Sequence, residues 1–351
     1  MTRVAVDLLG EGAPPESVLD ALPAALDADP ELVVTLVVPP GSIADDLADR
    51  GIVTGDRVHL VNAGRGIPAG ADAVRDVRAR RDSGVRVASR LVRDGRVDAM
   101  VSVAPLEAVA AAALFTFGLL PGATRASLAT VVDVGREPGG VVLCDAGASV
   151  DVTADDLAQF ALAGAAYAKV RAGSGEPRVG LLTARPALPD TVRRMAHDLL
   201  GTLGIDYVGP VDAGALVAGA QPGRSPAGGG SAGRQPDVVV TDGFTGDVVL
   251  ACLRAARAAT PTARPPVPAG LDPAWHSPAG PDLQGGTIVL GVDGVAVRVG
   301  DPIGGPDDLS TGIPAALATA ATVWRGGLVA EIRTELARLI ARRRAIAGLA
   351  R

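Results

Sequence analysis

Asp237-Val238-Val239-Val240-Thr241-Asp242-Gly243-Phe244-Thr245-Gly246-Asp247 is a β-branched run that ends in an acid, two glycines and a threonine. Consecutive valines between polar residues read as a short strand buried on both faces, the kind found in parallel sheets. Asp242 stands where a following helix wants a cap, and Gly243 and Gly246 remove the side chains that would hold a backbone away from an anion. The stretch therefore reads as strand, turn and helix start, with amide groups available to a phosphate or another oxyanion. An ordinary βα turn with an aspartate cap explains the same letters, so this stretch alone leaves both readings open.

A second stretch has the same grammar. Cys144-Asp145-Ala146-Gly147-Ala148-Ser149-Val150-Asp151 follows the valine-rich run Val141 to Asp145 and leads into Thr153-Ala154-Asp155-Asp156, a side-chain cap with acids at the positive end of a helix. Two such turns on one parallel sheet meet at its carboxyl edge, where open α/β sheets bind their ligands. Asp145, Gly147, Ser149, Asp242, Gly243, Thr245, Gly246 and Asp247 are thus candidate site residues.

Outward from these turns, short β-branched runs alternate with longer alanine- and leucine-rich ones. Strands are predicted at Arg3 to Leu8, Leu32 to Val38, Arg57 to Val61, Ala99 to Val103, Val141 to Asp145, Arg178 to Leu182, Val238 to Thr241, Thr287 to Leu290 and Val295 to Val299. Helices are predicted at Pro15 to Leu26, Val85 to Arg93, Leu106 to Phe117, Ala154 to Val170, Asp190 to Leu203 and from Gly312 to the C-terminus. The pattern is that of an α/β protein with a mostly parallel sheet. In the last segment Leu328, Ile332, Leu336, Leu339 and Ile340 share one helical face, as a packed terminal helix requires.

Two segments break the pattern. Gln221 to Gln235 reads as a flexible Gly/Ser/Pro loop, and Thr260 to Pro281 carries too many prolines around Trp275 and His276 for a long helix. The 351 residues are read as a single α/β domain with these two segments as its irregular parts.

Composition narrows the function. At 48% hydrophobic and only 2% aromatic, the core must be built from Ala, Val and Leu. A net charge of -6 gives no global attraction to nucleic acid or to an anionic bilayer, so any basic surface is local. Cys144 and Cys252 lie far apart in apolar runs and read as buried reduced thiols, which fits a cytoplasmic protein. No apolar run approaches the roughly 20 residues of a membrane span, and the opening residues, which lack a charged n-region and cleavage site, predict no secretory signal. His59, His197 and His276 have no metal or catalytic spacing, and no nucleophile elbow is present. Asp242 and Asp247 could share a magnesium ion, although two acids on one turn serve more often as caps. Gly10 and Gly12 begin a dinucleotide fingerprint that Pro15 breaks, so no cofactor is called for.

Taken in order, these pieces resemble the phosphate acyltransferase (PlsX) family of fatty acid and phospholipid synthesis proteins. Val4-Ala5-Val6-Asp7 with Gly10 and Pro14 is similar to the family's VDAMGGDxxP opening. Val87-Ala88, Val92, Gly95, Asp98-Ala99 and Ser102 follow its approach to SAGNTGA. Asp145, Gly147, Ala148 and Asp151 match DxGANxD, Arg178 to Leu182 matches PRVGLLN, and Val238 to Gly246 reproduces VVVTDGFTGN almost letter for letter. Gly285-Gly286, Leu290-Gly291-Val292 and Gly294-Val295 resemble GGAPLLGVxGV.

The resemblance implies an α/β/α sandwich similar to isopropylmalate dehydrogenase, a homodimer, and at most a peripheral contact with the membrane. It implies transfer of an acyl group from acyl carrier protein to inorganic phosphate, with Asp242 and Thr245 at the reacting centre. Asp7, Gly10, Ser102, Asp145, Gly147, Ser149, Arg185, Gly243, Gly246, Asp247, Gly285 and Gly286 are then expected to bind substrate, with no metal or cofactor. Phosphate attack on a thioester needs a held anion and oxyanion donors, not a protein nucleophile.

This chain departs from the family at Ala104-Pro105-Leu106-Glu107, where GNTG is usual, and in the lysine-free loop Thr183 to Pro189. Arg185 is expected to supply the missing charge in that loop. The same departures leave room for a second reading, a non-catalytic relative that keeps the scaffold and binds an acyl carrier or another partner.

Overall fold

Valine-rich runs become strands and alanine-rich runs become the helices that cover them, because β-branched side chains suit a pleated surface and alanine lets a helix lie close. The computed structural model describes residues 1–10, 15–41, 43–70, 72–132, 140–173, 175–187, 189–217, 235–259, 286–300 and 312–349. The chain divides into two units, one from residues 1–128 and 284–351 and the other from 129–283.

The first unit begins with β1 (Thr2–Asp7), α1 (Pro15–Ala28), β2 (Leu32–Val38), α2 (Ala44–Asp49), β3 (Val58–Asn62), α3 (Ala73–Ala79), α4 (Gly84–Arg93), β4 (Ala99–Ser102) and α5 (Leu106–Phe117). β5 (Ser127–Val132) leads into the second unit, which continues with β6 (Val141–Cys144), α6 (Ala154–Ala172), β7 (Arg178–Leu182), α7 (Thr191–Leu200), β8 (Asp206–Val211), α8 (Gly214–Val217), β9 (Val238–Val240) and α9 (Gly243–Ala259). The chain returns to the first unit with β10 (Thr287–Leu290), β11 (Ala296–Arg298), α10 (Gly312–Arg325) and α11 (Leu328–Leu349).

In the first unit the strands run β3-β2-β1-β4-β11-β10, all parallel except the last pair. Every residue of β2 is buried. The helices form two sets on these strands: α1 packs with α10 and α4 with α5, while α4 and α10 both contact β1 and β4. In the second unit the order is β5-β6-β9-β7-β8, with only β5 antiparallel to its neighbour. Mostly parallel strands with helices on both sides make this the α/β architecture expected from the sequence.

α6 shows why the second unit closes tightly. Its residues Asp156 to Ala168 are buried without interruption, and a Cβ on Gly164 would stand 2.9 Å from Val238 Cγ1, so glycine lets the helix lie against β9. The helix starts on the predicted cap. Thr153 Oγ1 accepts from the Asp156 amide at 3.2 Å while the Asp156 carboxylate accepts from the Thr153 amide at 3.0 Å. Removing the hydroxyl with Thr153→Ala is expected to lower unfolding free energy by about 1 kcal/mol, measured by urea denaturation, without moving the other elements.

Several expectations need correction. The last segment is two helices, because Gly326 and Gly327 interrupt it and Gly327 takes φ +67°. Leu328, Ile332, Leu336 and Leu339 of α11 are buried as anticipated. β5 and β8 were not predicted; β8 contains Gly209 and Pro210, which an edge strand tolerates. The predicted helix from Asp190 starts one residue later, with Asp190 as its cap, and ends at Leu200. Cys144 is buried but Cys252 is exposed on α9. The loops at 221–234 and 260–281 lie outside the described residues.

Candidate active site at the carboxyl edge of the second sheet

Cys144, Val240 and Leu181 are partners in the parallel register of β6, β9 and β7. The chain therefore leaves three neighbouring strands at one edge, through turns that begin at Asp145, Thr241 and Thr183. The first two turns interlock. The Asp145 amide donates to Thr241 O at 3.0 Å, and the Phe244 amide donates to Ser149 O at 3.1 Å.

Contact between these backbones is what requires the glycines. A Cβ on Gly243 would come within 2.5 Å of the Ser149 nitrogen, and one on Gly246 within 1.9 Å of Asp145 O. Gly147 takes φ +127° and is exposed, with the Asp247 Cβ 3.8 Å from where its own would be. The structure thus brings Asp145, Gly147, Ser149, Asp242, Gly243, Thr245, Gly246 and Asp247 together.

The acids hold the turns. Asp145 is fully buried; its Oδ1 accepts from the Ala148 amide at 3.0 Å and its Oδ2 from Ser149 Oγ at 2.6 Å. Asp242 caps α9, accepting from the Thr245 amide and from Thr245 Oγ1, each at 2.8 Å. Its Oδ2 also accepts from Arg193 Nη2. Burial pushes the Asp242 carboxyl up, but the amide and hydroxyl of Thr245 and the Arg193 guanidinium outweigh burial and hold it below the ordinary aspartate value.

Arg193 was not singled out in the sequence. From the first turn of α7 its Nε donates to Leu182 O at 2.9 Å and its Nη1 to Asp190 Oδ2 at 2.8 Å, while Nη2 also lies 3.4 Å from Thr245 Oγ1. The only sequence sign was Asp190 three residues earlier, a cap whose carboxylate faces a side chain at that spacing. Arg185, chosen instead, is exposed on the loop between β7 and α7. Thr183 and Thr241, at the ends of β7 and β9, are buried with hydroxyls that find no partner among the described residues.

Other candidates belong to the first unit. Asp7 ends β1, where its Oδ2 accepts from Ser102 Oγ at 2.8 Å and its Oδ1 from the Leu9 amide at 3.0 Å. Burial raises its carboxyl to about 6 against the lowering effect of those two bonds. Gly10 lies against β4's exit, where a Cβ would meet Val103 O at 2.5 Å, and Gly286 against Arg298 O at 2.4 Å. Gly285 lies outside the described residues. Among the described residues no three His, Cys, Asp or Glu side chains group to hold a metal ion. His59 is exposed on β3, and His197 Nδ1 lies 2.9 Å from Tyr207 Oη; His276 is outside the described residues.

Interlocked glycine turns at the carboxyl edge of a mostly parallel sheet place this chain among α/β proteins that carry their site at the strand ends. The fold matches a phosphotransacetylase from Streptococcus pyogenes with a TM-score of 0.61 at 17% identity, over 90% of this chain and 94% of that one. It also matches 4-hydroxythreonine-4-phosphate dehydrogenase from Klebsiella pneumoniae with a TM-score of 0.54 at 11% identity, over 92% of this chain and 100% of that one. At such identities the likeness is one of fold.

Residues 2–260 match the family described as fatty acid synthesis protein, and the chain belongs to that family. A phosphate acyltransferase from a Geobacillus species is 34% identical over 253 residues, 71% of this chain and 70% of that protein. The Myxococcus xanthus phosphate acyltransferase is 40% identical over 175 residues, but the match covers only 49% of this chain and 45% of that protein.

Among the described residues no single helix is long and apolar enough to cross a membrane. α10 and α11 have the length and composition together, yet they bend by 57° and bury Val323, Leu328 and Ile332.

Proposed function

We propose that this chain is a phosphate acyltransferase that moves an acyl group from an acyl carrier protein thioester to inorganic phosphate, supplying acyl phosphate for phospholipid synthesis. The observation that carries the reading is the interlock of the Asp145 and Asp242 turns, which sets the start of α9 beside an exposed glycine at Gly147. A helix N-terminus bordered by a side-chain-free backbone suits a tetrahedral dianion. Phosphate oxygen attacks the thioester carbonyl, the C–O bond forms as C–S breaks, and the carrier leaves as a thiolate that takes a proton from water.

In this scheme Asp242 shapes the turn and the Thr245 hydroxyl, half-buried in the first turn of α9, swings from Asp242 to the anion. Arg185 approaches from the β7 loop to offset the charge of the anion. Asp7, Gly10, Ser102, Gly285 and Gly286 are proposed as further substrate-binding residues. We take the working form as a homodimer. A peripheral lipid contact falls to the face of α9 that exposes Phe244, Val248 and Cys252.

The non-catalytic reading draws on one observation: both oxygens of Asp145 and of Asp242 already have protein donors, as packing alone would produce. One assay separates the two. Purified protein, long-chain acyl carrier protein and phosphate are expected to yield free carrier thiol and hydroxylamine-trappable acyl phosphate, both dependent on phosphate. Copurification with the carrier and no acyl phosphate at high protein concentration establishes the scaffold instead.

A further inference from the structure

We propose that Arg193 is a positioning residue of the transferase site: from the first turn of α7 it clamps Asp242 and Thr245 of the neighbouring turn and so fixes the shape in which that turn receives phosphate. The inference rests on the acyl-transfer reading above. It assigns to Arg193 a task that neither the loop Thr183 to Pro189 nor Arg185 performs.

The geometry favours a clamp over a direct ligand. Nε is used by Leu182 O, Nη1 by Asp190, and Nη2 by Asp242 with Thr245 Oγ1 near it, so the guanidinium fork faces protein on each side. Its acceptors belong to the end of β7, the cap of α7 and the cap of α9, three parts of the chain that a lysine point charge cannot hold at once. The side chains of Arg193 and Asp242 are only 16% and 10% exposed, so water screens the pair weakly.

The charged groups around Asp242 are Arg193 and Asp190 from α7, Asp247 on its own helix, and Asp145 across the interlocked turn. Burial raises the Asp242 carboxyl, and Arg193 is the sole charged group among these that lowers it. Without Arg193 burial remains, the acid takes up a proton more readily, and the Thr245 hydroxyl keeps its bond to Asp242 but loses the guanidinium at 3.4 Å that flanks it.

The test compares Arg193→Met and Arg193→Lys in the full chain with Arg194→Met, a change of equal charge at an exposed neighbour on the same helix. Phosphate-dependent transfer is followed across pH, with added guanidinium ion, and in combination with Asp242→Asn. Arg193→Met is expected to lower kcat/KM for phosphate at least about tenfold and to move its acid limb to higher pH. Guanidinium ion restores part of the loss, Arg193→Lys retains more than Arg193→Met, and Arg194→Met stays within about twofold. In the Asp242→Asn background the Arg193 change costs little more.

A loss with an unmoved acid limb and no coupling to Asp242 overturns the proposal. If Arg193→Met does not fold, the pH profile of Arg193→Lys decides. If the unaltered protein transfers no acyl group, the functional reading fails separately. Carboxyl 13C titration of Asp242 in the unaltered protein and in Arg193→Lys then tests the clamp, and identical titrations refute it.

Discussion

Gly246→Ala is expected to reduce phosphate-dependent acyl transfer by at least about a hundredfold and to destabilise the protein by about 2–4 kcal/mol. The new methyl carbon would stand 1.9 Å from Asp145 O and 3.2 Å from the Ala146 Cα. Both obstacles are main chain, so no rotamer change relieves the overlap. α9 would have to withdraw from the Asp145 turn, and that turn is held by a carboxylate that is itself fully buried. Withdrawal moves Thr245 and the Asp242 cap together, and a displacement near 1 Å at a reacting centre costs on the order of a hundredfold. Gly201→Ala is the matched control, because its methyl would meet nothing closer than His197 O at 3.6 Å. The measurements are kcat/KM for phosphate and urea unfolding of each variant. Equal stability and activity for Gly246→Ala and the parent would remove the interlock as the basis of the site.

How far the sequence disclosed this arrangement depends on what kind of contact made each part. β2, β7, β10 and α5 fall on their predicted bounds, because apolar runs flanked by breakers carry local information. β5 escaped since Ser127-Leu128-Ala129-Thr130 mixes small and helix-forming residues, and β8 since Gly209-Pro210 reads as a turn. The break between α10 and α11 rests on Gly326-Gly327, two residues inside a run that is otherwise uniformly helical.

At the site the residue types were legible and their partners were not. Gly243 and Gly246 were open to two readings, an approach for an anion or an ordinary turn, and the structure shows that each is required by the backbone of the neighbouring turn. A glycine shows that something comes close without showing what it is. Arg193 was hidden for a related reason: arginine in a first helical turn usually faces water, and only the β7–β9 register brings Asp242 to it. Asp242 itself was recognised as a cap, since that function is settled within three residues.

Asp7→Asn is expected to reverse part of the protein's pH dependence, giving a variant that gains stability over the parent as pH rises from about 4 to about 8. Asp7 is 1% exposed, and its carboxyl, at 3.8 in the unfolded chain, is raised to about 6 by burial, although Ser102 and the Leu9 amide pull the other way. Below 3.8 the group is neutral in both states and costs nothing. Between 3.8 and about 6 the unfolded chain ionises first, so folding must retain a proton that the solvent is removing. Above about 6 the folded protein carries a buried anion, and the full gap is worth on the order of 3 kcal/mol. Asparagine cannot ionise, keeps an acceptor for Leu9, and can donate to Ser102 Oγ, so its cost does not change with pH. Titrations elsewhere in the chain are common to both proteins and cancel in the difference. Urea unfolding of the two proteins at several pH values reads that difference directly. A gap that stays level from acid to alkaline pH would mean that Asp7 keeps an ordinary carboxyl in the fold. The expected slope would show instead that this strand end bears an electrostatic cost of the kind that burial of an acid imposes.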